Sequence, residues 1–122
     1  MPLHISADQM KRLGDAMHHS FELGAVTRLR RLFPETTARH SDDTMLLFVR
    51  HGIARARQHE LVTVTDVQRW LDLMMHLGPY FDTAGQPEFA PVRAALDNFE
   101  IYGPLRLDEA EAAAARVAPA PR

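Results

Sequence analysis

Apolar residues recur along the chain in steps of three and four, the spacing that gathers them on one face of an α-helix. The first run is Met10, Leu13, Met17, Phe21, Ala25, Leu29 and Leu32, and it predicts one long helix. Ser6-Ala7-Asp8-Gln9 opens it as a Ser-x-x-Gln capping box, which satisfies two free backbone N–H groups. Pro34 should end it, because the residue before a proline is driven out of the α region. Ser41-Asp42-Asp43-Thr44 opens a second helix, its acids placed to favour the N-terminal dipole. The face expected to be buried is Met45, Val49, Gly52, Ile53 and Ala56, widened by Leu46 and Phe48, and the pattern fades at Gln58-His59-Glu60.

A third helix begins at the cap-like Thr63-Val64-Thr65-Asp66. It should bury Val67, Trp70, Leu71, Met74 and Leu77 and stop at Gly78-Pro79. Tyr80 to Gln86 reads as a loop whose two aromatics dip into the core. Pro87 to Asn98 reads as a shorter helix with Phe89, Val92 and Leu96 inward. After a connection to Leu105, Asp108-Glu109-Ala110-Glu111 should cap an alanine-rich last helix. The strand candidates, Glu60–Val64 and Phe99–Tyr102, are short and isolated. The pattern therefore predicts an all-α fold, a compact single-domain bundle of four to five helices over residues 1–117. Residues 118–122 should form a disordered Pro/Ala tail.

Composition narrows the function classes. A chain of 122 residues, 46% hydrophobic and 25% charged, fits one domain. It has no cysteine, which removes disulfides and thiolate metal sites. No apolar run reaches the ~18–20 residues of a membrane span, and the first residues lack the order of a signal peptide, so a cytoplasmic location is expected. The net charge is −2, but it is unevenly placed: residues 1–57 carry nine Lys/Arg against six Asp/Glu, and residues 58–122 carry five against ten. A bipolar surface of this kind can orient a protein partner or a second copy of the chain.

The candidate chemistry is sparse. Asp15, His18, His19 and Glu22 sit three or four apart on the first helix, a spacing that suits a divalent ion. There is no HExxH motif and no second Glu-x-x-His helix to complete a site, so no metal is expected. Ser6 and Ser41 read as caps, and Ser20 points about 100° away from its neighbour His19. With no G-x-S-x-G elbow and no phosphate-cradling loop, no catalytic residue and no cofactor are expected. A helix-turn-helix would place Asp66–Leu77 in a DNA groove. That segment carries two acids and one arginine, which disfavours nucleic acid. The same helix has more apolar positions than one stripe requires. Leu73 and Met75 are accordingly expected to form the apolar centre of a protein-docking surface, with Arg69, Asp72 and His76 as its rim.

One stretch resembles a known family. Arg50-His51-Gly52-Ile53-Ala54-Arg55-Ala56, Leu71-Asp72-Leu73-Met74 and Leu77-Gly78-Pro79-Tyr80-Phe81-Asp82 carry the pattern, chiefly within residues 45–97. It is similar to small helical bacterial proteins encoded among type VI secretion spike, PAAR-tip and toxic-effector genes. In Pro87-Glu88-Phe89-Ala90, Phe89 stands where members often have tryptophan. The resemblance implies no catalytic residue. It implies an accessory role as chaperone or adaptor, through binding to a toxin effector or spike component. A toxin-neutralising immunity role and a helical DNA-binding regulator stand as alternatives.

Overall fold

The computed structural model describes residues 7–83 and 85–117, with side chains from His18 onward. The Ser6 capping box, the side chains of Met10, Leu13, Asp15 and Met17, and the 118–122 tail lie outside the described residues. The described chain is all-α: six α-helices, one 3-10 turn and no strand. None of these helices is long and apolar enough to cross a membrane.

Helix α1 spans Ala7–Leu32. Pro34 does more than end it, since it starts a one-turn helix, α2, Pro34–Thr37. At this position the missing N–H has no partner to lose. Arg30 closes the corner by donating to the carbonyls of Thr37 and His40 and to Asp42 at 2.8–2.9 Å. The chain then returns as α3, Asp42–Gln58, capped by the Ser41 hydroxyl, which accepts from the Thr44 N–H at 3.1 Å. The Arg30–Asp42 pair at the corner and the Glu22–Arg50 pair farther along show α1 and α3 running antiparallel. Met45, Val49, Gly52 and Ala56 are buried along α3 as the spacing predicts, whereas Ile53 is half-buried.

Helix α4, Val64–Leu77, is capped by Thr63 and lies between α3 and α6. The approach to α3 is close because residue 52 is glycine. A Cβ there would fall inside van der Waals contact of Leu71 Cδ2 and 2.8 Å from Met74 Sδ. Trp70, Leu71 and Met74 are fully buried with Val49. At Gly78 the backbone turns to φ +104°, a conformation that disfavours other residues, and α4 stops. The two aromatics that follow part company. Phe81 packs 5.1 Å from Trp70, ring centre to ring centre, while Tyr80 stays 61% exposed beside His51.

A 3-10 turn, Pro87–Phe89, feeds α5, Ala90–Asp97, which buries Val92 and Leu96. Helix α6, Gly103–Ala114, begins before the expected cap at Asp108, with Pro104 in its first turn. The buried spacing Arg106, Leu107, Ala110, Ala114 runs straight through that cap position. Phe99–Tyr102, a strand candidate in the sequence, is the turn joining α5 to α6.

Candidate functional site

The surface expected on α4 is not an open one. Leu73 is 4% exposed and belongs to the core, and Met75 is half-buried against it. The polar residues expected to rim that surface bind other parts of the same chain. Arg69 donates to Glu111 and to Asp108 on α6 and to the Pro104 carbonyl, and the Glu111 hydrogen bond raises the Arg69 pKa above its ordinary value. Asp72 accepts two parallel bonds from Arg28 on α1, each 2.8 Å. The His76 ring nitrogen Nε2 lies 3.0 Å from the Ala114 carbonyl and 3.1 Å from that of Val117. The physical reason is position: α4 is the central helix, and no residue from Asp66 to Leu77 is exposed.

On α1, Glu22 is committed to Arg50 at 3.0 Å, with His19 at 3.7 Å on its other oxygen. The fourth member of that cluster, Asp15, lies outside the described side chains. The described residues hold no group of three or more metal-ligating side chains.

The open site lies instead between α1, the second half of α3 and the start of α4. It is a groove of about 410 Å³, within the range in which binding pockets fall. Phe21, Ile53, Leu61 and Val67 form its floor, and Val62 and Val64 its far lip. Its near rim is His18, Glu22, Arg50 and Arg57. Val62 is 68% and Val64 57% exposed, so the apolar lining continues onto the surface. The lip is held by the end of α3. Leu61 N–H donates to the Ala56 carbonyl and Glu60 N–H to that of Arg57, a Schellman closure that seats Leu61 in the core. Glu60 takes the left-handed position at φ +61°, where glycine is usual. Phe21 and Ile53 read as ordinary core in the sequence. Their half-exposure arises only where three elements meet, which no single helical period reveals.

A second polar cluster, also not foreseen, lies behind α3, with the Asp82 and His59 side chains buried at its centre. Arg55 donates to Asp82 at 2.6 Å, and the Asp82 side chain is 2% exposed. His59 lies between two carboxylates: Nε2 is 3.8 Å from Asp82 and Nδ1 is 3.6 Å from Asp97. Burial pushes the Asp82 carboxyl up, but the adjacent His59 ring and the Arg55 guanidinium outweigh it and hold Asp82 below the usual carboxylate range. The His59 ring is packed against Trp70 and Phe99. The cluster ties the end of α3 to the loop after α4 and to α5.

No family model matches the chain, and no characterised protein or solved structure matches it.

Proposed function

We propose that this protein acts by binding another polypeptide in the α1–α3–α4 groove, without covalent chemistry of its own. The observation that carries this reading is the groove's build: an apolar floor open to solvent, a valine lip and a rim of charged side chains. Such a layout, a desolvated apolar centre inside a polar ring, is what a protein interface requires. The resemblance stated for residues 45–97 gives the partner its class, a toxin effector or spike component of a type VI secretion system, with this protein as its chaperone or adaptor.

The test is co-expression with the products of the adjacent genes, followed by light scattering of the purified species. A stoichiometric complex is expected with one of them. Val64→Asp should abolish it while leaving the fold intact, because Val64 is exposed and an acid in the first turn of α4 suits the helix dipole. Absence of any complex, or a complex indifferent to Val64→Asp, would overturn the proposal. If the partner is a toxin that loses activity in the complex, the role is immunity rather than loading.

A further inference from the structure

We infer that the occupant of the groove is an amphipathic α-helix carrying a carboxylate beside its apolar stripe, received by Arg57. This rests on the reading of the groove as a docking site, and it specifies what docks there.

The helical form follows from hydrogen-bond accounting. A segment that buries itself on an apolar floor must keep its backbone N–H and C=O groups paired. An extended peptide normally does so by joining a sheet edge, and the described fold has no strand to offer one. A polyproline segment docks on aromatic surfaces. Among the described residues the only aromatic side chain on the floor is Phe21, which has no polar atom. A helix alone arrives with its backbone already satisfied, and its residues at i, i+3 and i+4 project into one groove. Phe21 and Ile53 give those residues an apolar seat, and Val62 and Val64 extend it along the surface.

The charge of the partner follows from the rim. Glu22 and Arg50 neutralise one another at 3.0 Å, and Glu22 also faces His19. Arg57 is exposed at the groove edge, and its guanidinium has no ion pair or hydrogen bond among the described residues. Among the described residues the rim therefore presents one uncompensated guanidinium, with His18 nearby, and no uncompensated carboxylate. An acidic side chain on the incoming helix completes that pairing, while a basic one meets repulsion from Arg57.

Two fluorescein-labelled synthetic helical peptides provide the probe. They share one leucine stripe at helical spacing and differ only in their flanking residues, glutamate in one and lysine in the other. Titrated with the full chain at low salt, the glutamate peptide should bind at least about tenfold more tightly, a difference of roughly 1.4 kcal/mol. Added salt should narrow the gap. Arg57→Glu should remove or reverse the preference while keeping a cooperative melt, lowered only slightly because an acid opposes the dipole at the end of α3, and Val64→Asp should weaken both peptides. Equal binding, a preference for lysine, or a preference that survives Arg57→Glu would overturn the inference. So would failure of both peptides to bind, or equal competition by a proline-rich peptide bearing the same glutamates. The co-expression result stands apart from these outcomes: a complex lost on Val64→Asp but indifferent to peptide charge keeps the docking site and removes its helix-and-carboxylate specificity.

Discussion

Arg28 and Asp72 meet fork to fork. Nη1 donates to Oδ1 and Nη2 to Oδ2, both at 2.8 Å, and the pair joins α1 to the central helix. Both side chains are partly exposed, at 23% and 33%, so solvent screening limits the pair to about 1 kcal/mol. Asp72→Ala should lower stability by about that amount in urea unfolding and leave partner binding unchanged. Loss of binding at full stability would return Asp72 to the docking surface. Leu73→Asp, by contrast, should unfold the domain, because it would bury an unpaired charge.

Asp82 makes stability depend on acid. Its pKa is lower in the folded chain than in the unfolded one, where a carboxyl titrates near ~3.9. The stabilisation is fully present above the unfolded value and is lost as pH falls through the folded value. Asp82→Asn should cost about 2 kcal/mol at neutral pH, the worth of a charge-assisted hydrogen bond. The two stability curves should converge at low pH. Curves that stay parallel under acid would mean Asp82 contributes nothing through its charge.

Glu60 occupies a backbone conformation better suited to glycine, at φ +61°. Relieving the left-handed strain should outweigh the entropy that glycine loses on folding. Glu60→Gly is expected to stabilise the domain by up to about 1 kcal/mol, read as a rise in melting temperature. Glu60→Val should act in the opposite direction.

At position 52 the balance runs the other way. Alanine gains about 0.5–1 kcal/mol over glycine inside a helix. Its Cβ, however, would press on Leu71 and Met74, which are 0% and 1% exposed and would have to shift inside a packed core. Overpacking of about 1–3 kcal/mol should win, so Gly52→Ala is expected to destabilise. Calorimetry decides the sign.

These sites also show where the chain could be read in advance. Ser41 and Thr63 announce helix starts because capping is local, and both accept the expected backbone N–H. Val49, Trp70, Leu71 and Met74 are legible because each lies on a stripe of one period. Leu73 is not, since periodicity reports how apolar a helix is but not how many neighbours it has. A helix enclosed on two sides and a helix with a spare docking face carry the same pattern. The Arg55–Asp82 pair spans 27 positions, and no spacing rule links residues so distant. The groove suffers the same blindness: its floor residues have core-like identities, and only the meeting of α1, α3 and α4 leaves Phe21 and Ile53 partly uncovered.

Arg106 carries a consequence for how the chain is made. It is 3% exposed, and its donors go to the carbonyls of His59, Leu96 and Ile101 beneath the Phe99 ring. His59 and Leu96 lie at the ends of α3 and α5, where helix dipoles gather negative charge. One cation from α6 thus closes two helices that the ribosome releases earlier. Until residue 106 has cleared the exit tunnel, those carbonyls have no guanidinium to meet, and α4 lacks the helix that covers its second side. The nascent chain should stay protease-sensitive until residue 106 emerges and become resistant in a single step at that point.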